Sequence, residues 1–414
     1  MPIYAGPLTD VGSERRDAGV PSALAAAWRR PMRGRSRDEE HRASTPLELF
    51  FDLCFVVAVS QAASRLAYAF GHEHSPGAVL SYAMVFFAIW WAWMNFTWFA
   101  SAYDTDDVPY RLLTLLQIAG VLILAAGIPR LFDGQDNGVV TFGYLVMRVG
   151  LVSQWLRAAS GHPEGRRTCR RYAAGISVCM AGWLLLLLVP VPVRGIGFAV
   201  MIVAELSVPI WAERTGGTPW HPGHIAERFG LFTLIVLGES LLSATVAFQT
   251  ALDGEGADGQ LYVVAVGGVL TVFAMWWIYF AKPSEDLLTS NEVAFRWGYG
   301  HYLIFASAAA VGAGLEVGVE VASGHAELST LAAGATVTVP VAVYLLTAWV
   351  LLVLPHRLGA ARTAVYPGAA ALVLLATLTA QPVLVTGIVL GALVAVSIAR
   401  SHQAYRSGTA ASTT

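Results

Sequence analysis

Charged side chains are scarce in this sequence. Asp, Glu, Lys and Arg make up 13% of its 414 residues, whereas a soluble domain has roughly 25%. Apolar residues make up 56%, and the mean hydropathy is +0.58. These values exclude a soluble globular fold and predict an all-α, polytopic transmembrane bundle whose surface partner is the lipid bilayer. With a net charge of −2, the chain also lacks the basic excess typical of proteins that bind nucleic acid.

Cysteine and the common catalytic motifs are scarce as well. The three cysteines, Cys54, Cys169 and Cys179, are too few for a disulfide framework and imply no metal site. The sequence has no glycine-rich phosphate-binding loop, no zinc-protease helix motif and no convincing order of Ser, His and Asp. We therefore expect no cofactor, and a nucleotide-driven pump is excluded for this chain alone.

Twelve apolar stretches of about 18 to 25 residues are long enough to cross a bilayer as helices. They are residues 46–70, 78–102, 111–127, 139–160, 172–189, 195–212, 225–249, 261–281, 297–321, 328–354, 363–380 and 383–399. The last two are short, and Gln381-Pro382 between them fits either a surface turn or a kink inside one element. Twelve spans is the preferred prediction and ten is the alternative.

The arginines predict the orientation of the chain. All but one of the 26 basic residues are arginine, and most fall on every second connection between the predicted spans. Because positively charged loops stay on the cytosolic side, we predict a multi-pass protein of the cell membrane with both termini in the cytosol. Residues 1–45, with eight arginines and six acidic residues, are predicted to be a disordered cytosolic arm, and residues 401–414 a cytosolic tail.

The sequence also contains signs of an internal repeat. LELF at 47–50 opens the first span as AERF at 226–229 opens the seventh, and FFAIWW at 86–91 matches VFAMWW at 272–277. Six spans per half give both halves the same orientation. We therefore predict a parallel repeat of residues 46–213 and 225–400 about an axis along the membrane normal. The alternative is that spans rich in Phe and Trp look alike through composition alone.

Three motifs carry a resemblance to a known family. TPLELFFDL at 45–53, NFTWFA at 95–100 running into YDTDD at 103–107, and HIAERFGL at 224–231 followed by LGES at 237–240 resemble bacterial low temperature requirement protein A. The resemblance runs from about residue 45 to the last spans and leaves the N-terminal arm outside. It implies a multispanning bacterial membrane protein named for a cold-growth phenotype, with no agreed substrate or reaction.

Four ionisable residues lie deep in the predicted spans: Asp52, Arg148, Glu205 and Glu239. A charge at the bilayer centre costs at least about 2.5 to 3.5 kcal/mol on insertion scales, so such a group normally faces the bundle interior and has a partner or a task. We predict that the four surround a substrate- or ion-binding site between the halves, with Arg148 as the counter-ion. Arg228 is on the same helical stripe as Glu239 but about 16 Å away along the axis, so the two cannot pair.

Glu48, Glu227 and Arg228 lie near the cytosolic ends of the first and seventh spans. We predict that they form salt bridges or a gate at that mouth. Glu48 and Asp52 are one turn apart on one face, so the two carboxylates could exchange a proton. The alternative for Glu48 is a helix-start acid that complements the helix dipole after Thr45, a plausible cap.

Asp104, Asp106 and Asp107 form an acidic connection after the second span. This connection could gather cations, bind nearby arginines or be a solvated turn. His224 shares a helix face with Glu227, but no third strong ligand lies nearby in sequence, and we expect no metal there.

These features together predict a secondary transporter or permease for an unidentified small solute or ion, with proton coupling as one option. One alternative is an intramembrane enzyme that acts on a lipid or lipid-linked substrate, and a lateral opening to lipid beside His224 or the carboxylates would favour it. The other is a non-catalytic membrane component that recruits partners through its arm. The sequence leaves the enzyme question and the oligomeric state open.

Overall fold

The computed structural model describes residues 28–36, 39, 42–73, 77–134, 137–253, 259–356 and 363–411, and this part of the chain contains helices and no strand. The long helices are α1 (Pro46–Tyr68), α2 (Ala78–Tyr103), α3 (Val108–Phe132), α4 (Gly138–Gly161), α5 (Arg166–Leu186), α6 (Val191–Glu213), α7 (Pro222–Asp253), α8 (Gly259–Phe280), α9 (Asn291–Ala322), α10 (Thr330–Ala348), α11 (Val365–Ala376) and α12 (Pro382–Ala411). Each corresponds to one predicted span. The all-α bundle is thereby confirmed.

Ten of these helices are long and apolar enough to cross a membrane; α5 and α11 are the exceptions. Four of the first six residues of α5 are arginines, which lowers its hydropathy, and α11 has only 12 residues. The structure thus supports ten spans by length and composition. That α5 and α11 also cross stays a prediction.

Both exceptions nevertheless lie beside a neighbour over their length. Trp183 of α5 donates to Glu205 in the middle of α6, and Thr168 at the start of α5 contacts Thr215 just after the end of α6. The side chains of Tyr366 and Ser397 join the start of α11 to the second half of α12. The chain therefore keeps its alternating direction through α5 and α11.

The two ends of the bundle differ in charge. We call the end that holds the α2–α3, α4–α5, α6–α7 and α8–α9 connections the arginine-rich face, and the other end the opposite face. Residues 28–36, 39 and 42–45 of the predicted disordered arm are described, and they contact the arginine-rich face. Met32 is buried, and the backbone of Arg35 donates to the carbonyl of Ala102. The rest of the arm lies outside the described residues, as do residues 254–258 and 412–414.

The two halves pack in the same order. In the first half α1 contacts α3, then α3 contacts α4, α4 contacts α5 and α5 contacts α6; in the second half α7, α9, α10, α11 and α12 follow the same succession. Glycines allow the close approach of α3 and α4, because a Cβ at Gly120 would lie 2.7 Å from the carbonyl oxygen of Gly143. The shared order agrees with a parallel repeat, which stays a prediction.

The halves differ in where they place their tryptophan pair. Trp90 and Trp91 of α2 are buried, since α2 packs against α7 and α9 of the other half. Trp276 and Trp277 of α8 are 44% and 43% exposed, because α8 lies at the edge of the bundle beside α12. Most of the contact between the halves is therefore formed by α1, α2, α7 and α9, and Tyr299 of α9 also donates to the carbonyl of Leu206 in α6. We call the region where α1 packs against α7 and α9 the seam.

Candidate functional site

The seam begins at the arginine-rich face with a local cap on α1. Thr45 accepts a hydrogen bond from the backbone of Glu48, and the Glu48 carboxylate accepts one from the backbone of Thr45 at 2.8 Å. Pro46 occupies the first helical position, where its missing N–H costs nothing. The cap fixes the Glu48 carboxylate inside the bundle, one turn before Asp52.

Arg228 of α7 binds both carboxylates of α1. Its Nε and Nη2 donate to Asp52 at 2.9 and 2.5 Å, and its Nη1 lies 3.1 Å from Glu48 Oε1. His224, one turn earlier on α7, lies 3.2 Å from the same Glu48 oxygen, and Trp93 of α2 donates to Asp52 at 2.7 Å. The side chains of the four charged or titratable residues among them are fully buried: Glu48, Asp52, His224 and Arg228. We call these four residues the seam cluster.

Arg42 closes the outer side of the seam cluster. Its guanidinium donates to the carbonyls of Ala100 and Ser101 at the end of α2 and lies 4.0 Å from Glu48. Two cations therefore lie close to the two carboxylates of α1. Glu227, which we predicted to take part in a gate beside Arg228, instead accepts from the backbone of Ser44 at 3.3 Å. The segment before α1 thus holds both halves together at this face.

A second buried ion pair lies entirely in the first half. Arg148 of α4 lies 3.1 Å from both oxygens of Glu205 on α6 and donates to the Tyr144 hydroxyl at 2.8 Å. Trp91 and Trp183 donate to Glu205 at 2.8 and 3.1 Å. Glu205 is thereby neutralised and fully hydrogen-bonded, which is what a buried charge needs.

The two ion pairs lie on opposite sides of α2. Trp91 contacts Glu205 and Trp93 contacts Asp52, and residues two apart on a helix point about 200° apart. The structure therefore does not bring together the four residues predicted to share one site. Arg148 is the counter-ion of Glu205, and the counter-ion of Asp52 is Arg228.

Glu239 lies in the seam, three turns beyond Arg228 on α7. Its carboxylate is half-buried and accepts a hydrogen bond from Ser60 of α1 at 2.7 Å. The described residues provide no ion pair for it. Glu316 of α9 lies within electrostatic range of Glu239 and of Glu320, one turn further on. Three carboxylates thus follow one another in the seam towards the opposite face.

An aromatic layer separates these carboxylates from the seam cluster. Trp93 stacks on Phe232 with ring centroids 4.4 Å apart, and Phe305 of α9 meets both rings at 5.7 and 4.9 Å. Phe229, directly after Arg228, meets Trp93 at 4.9 Å. These rings fill the bundle between the levels of Asp52 and Glu239.

The acidic connection after α2 is tied to arginines, one of the three roles considered for it. Asp107 caps α3 through the backbone of Tyr110 and accepts from Arg157 at 2.7 Å, while Asp106 pairs with Arg111 at 2.7 Å. Burial works to raise the pKa of Asp107, but its hydrogen bonds outweigh burial and the pKa lies below its usual value. Asp107 is therefore a structural acid.

Asp104 differs from its neighbours because it is buried beside another acid. Burial, and then the negative charge of Glu48, raise its pKa to about 6, although the Arg42 guanidinium opposes the shift. Its carboxylate accepts from the backbone of Asp106 at 3.0 Å. Among the described residues no group of three or more His, Cys, Asp or Glu side chains could hold a metal ion.

The charged residues of the site are easier to find from the sequence than the side chains that contact them. The sequence carried no signal for Ser60, and the signal for Arg42 was only its place just before the Thr45 cap. The one sequence signal for the Arg228 site was the spacing of Glu48 and Asp52, which offers two carboxylates on one face to a single bidentate cation.

The comparisons with known proteins agree with this architecture. Residues 43–399 match the family described as bacterial low temperature requirement A protein (LtrA). The chain belongs to the LtrA family. The LtrA match contains the seam cluster and all twelve helices to within the last turns of α12, and it begins just after Arg42, as the resemblance of the motifs predicted.

A relative from Rhizobium meliloti (strain 1021), described as uncharacterized protein RA0937, is 30% identical over 280 residues. The alignment covers 64% of this chain and 66% of the relative. LtrA membership and the apolar helices together establish a multi-pass membrane protein of the LtrA type.

Proposed function

We propose that this LtrA-family chain is a secondary transporter whose path follows the seam. Glu239, Glu316 and Glu320 are the groups that carry the coupling ion, a proton or another small cation. The seam cluster and the aromatic layer together form the closed barrier on the arginine-rich side. The proposal keeps the transporter predicted from the sequence and relocates its ion site to one seam.

The contrast between paired and unpaired acids carries the proposal. Asp52 and Glu205 are each neutralised by an arginine, Arg228 and Arg148, at 3.1 Å or less. Glu239 has only the Ser60 hydroxyl among the described residues. A carboxylate at membrane depth without a counter-ion is stable when it is protonated or binds a cation. Such a site exchanges its ion, whereas an arginine-paired acid does not need one.

The barrier on the arginine-rich side supports an alternating path. The buried ion pairs of Arg228 join α1 of one half to α7 of the other, and the rings of Trp93, Phe232 and Phe305 lie directly beyond them. A movement of one half against the other would separate Arg228 from α1 and part these rings. Transporters built from two parallel halves move in this way around a central site.

Proteoliposomes test the proposal. The purified chain is reconstituted with a trapped pH indicator, a membrane potential is imposed with a potassium gradient and valinomycin, and a panel of small solutes is added one at a time. We expect at least one solute to start a potential-driven proton flux that protein-free liposomes lack. Glu239→Gln should abolish this flux at unchanged reconstitution, because it keeps the shape of the side chain and removes its charge.

Glu292→Gln is the matched control, since Glu292 is 82% exposed and its ion-pair partner among the described residues is Arg296, one turn later in α9. Its flux should equal that of the wild type. An undiminished flux in Glu239→Gln would remove Glu239 as the coupling residue. A panel without any response above protein-free liposomes would count against proton-coupled transport.

A further inference from the structure

A groove opens at the arginine-rich face on the outer side of the second half. It has a volume of about 650 Å³ and lies between the end of α8, the end of α10, the start of α11 and the second half of α12. It lies outside the seam, because α8 and α12 lie at the edge of the bundle, although Phe280 and Lys282 also line a neighbouring pocket that contains Arg42 and Glu227. The transport proposal does not use it.

The rim of the groove is basic. Lys282, Arg400 and His402 line it, and none of its described lining residues is acidic. Lys282 is the single lysine of the chain. Burial lowers the pKa of its ammonium group. Asp286 interacts with His356 on the same face but does not line the groove.

The floor and inner wall of the groove are apolar and aromatic. Trp276 and Trp277 line it near the end of α8, together with Val353 and Ile398. Both tryptophans are nearly half exposed, whereas their counterparts in the first half are buried. Exposed tryptophans are typical of the level where lipid headgroups meet the hydrocarbon. Basic and apolar surfaces therefore meet at one height.

We propose that this groove binds one anionic phospholipid of the surrounding leaflet, with its phosphate between Lys282 and Arg400 and an acyl chain along Trp277 and Ile398. Basic pockets between membrane helices bind such headgroups, and each cation near an anionic surface strengthens binding about fivefold. A zwitterionic lipid has the same apolar part but no net charge, so the groove discriminates by headgroup. The inference is independent of the transport proposal.

Native mass spectrometry of the full chain in detergent tests the groove. The chain is titrated with phosphatidylglycerol or phosphatidylcholine, and the affinity for the first bound lipid is measured for each. We expect the wild type to prefer phosphatidylglycerol. Lys282→Gln should weaken phosphatidylglycerol binding about fivefold, and Lys282→Gln with Arg400→Gln about 25-fold, both with a smaller effect on phosphatidylcholine, whose choline offsets the charge of its phosphate.

Arg296→Gln is the control for charge alone, because Arg296 lies on the same face, is 71% exposed and is outside the groove. It should leave the preference unchanged. An equal loss in Arg296→Gln, or a wild type without preference, would overturn the proposal. Displacement of phosphatidylglycerol by inorganic phosphate alone would also overturn it, since that result indicates a site for a soluble anion. Each variant should melt at the same temperature as the wild type, which checks that the substitutions leave the fold intact.

Discussion

At the residue scale, Arg228 is the side chain on which the contact between the halves depends most. It is fully buried and contacts two carboxylates of α1 with all three of its nitrogens. A buried ion pair adds little net stability over apolar packing, but removal of one partner leaves an uncompensated charge in a medium that solvates it poorly. The destabilisation caused by removal of Arg228 is therefore larger than the net stabilisation that its ion pairs provide.

Arg228→Met should destabilise the protein by about 3 to 5 kcal/mol, because Asp52 loses its ion-pair partner and Glu48 keeps only the more distant Arg42. Adding Asp52→Asn should restore part of this loss, since one of the two acids no longer needs a partner. Thermal unfolding in detergent, followed by fluorescence-detected gel filtration, measures both. Arg111→Met is the control, because its pair with Asp106 is about half exposed and such pairs contribute about 0 to 1 kcal/mol. A double variant no more stable than Arg228→Met would contradict this account.

Asp104 should make stability depend on pH in a definite direction. Its pKa is raised to about 6 from 3.8, so the folded state holds a proton that the unfolded state releases. Its contribution is complete below pH 4 and is lost as the pH rises through 6. Asp104→Asn keeps the acceptor for Asp106 and removes the charge. Above pH 6 it should stabilise the protein by at most about 3 kcal/mol, and near pH 4 it should change nothing.

Melting curves of the wild type and of Asp104→Asn between pH 4 and 8 check this expectation. The exposed Asp106→Asn serves as the comparison, because Asp106 is not buried. A constant difference between Asp104→Asn and the wild type across the range would show that the carboxylate stays charged throughout.

At the scale of the helices, α11 is the element whose role depends most on its surroundings. Its 12 residues extend about 18 Å, less than the roughly 30 Å of the hydrocarbon core. Its two ends contact its neighbours at different levels: Tyr366 contacts Ser397 in the second half of α12, and Thr377, just after α11, contacts Thr338 in the middle of α10. A short helix of this kind is tolerated where the bilayer thins or neighbours cover its ends.

Cysteine labelling should show that α11 crosses. Gln381, in the turn after α11, donates to Gln260 at the start of α8, so Gln381→Cys and Gln260→Cys should react with an impermeant maleimide from the same side of the membrane. Ser284→Cys, after α8, should react from the other side. The three native cysteines are buried and provide the background. Labelling of Gln381→Cys and Ser284→Cys from one side would contradict a crossing α11.

At the scale of the whole molecule, the sequence predicted the helices well because each span must bury its own backbone hydrogen bonds in an apolar stretch. Residues 297–321 were predicted where α9 extends over Asn291–Ala322, and the Thr45 cap was placed correctly. The missed residues at the start of α9 include the charged Glu292 and Arg296, and they belong to the helix because Ser290 caps it. Local chemistry was sufficient for these features.

The pairing of the charges could not be predicted in the same way. Position along a span predicted that Asp52, Arg148, Glu205 and Glu239 lie at membrane depth. It does not say in which direction each side chain points. The rotation of each helix and its neighbours decide which charges meet, and these follow from packing between distant parts of the chain. Asp52 and Arg228 are 176 residues apart, and the orientation of α2 directs Trp91 and Trp93 to two different acids.

The bridge between Asp52 and Arg228 also has a consequence for biosynthesis. At a translation rate of about 5 to 20 residues per second, Arg228 follows Asp52 out of the ribosome after roughly 9 to 35 seconds. Once Glu205 has been added, near the end of that interval, the nascent chain contains both members of the Arg148 and Glu205 pair but still lacks Arg228 for Glu48 and Asp52. Helix α1 must therefore stay beside the translocon, or keep its acids protonated, until α7 is inserted and Arg228 can bind them.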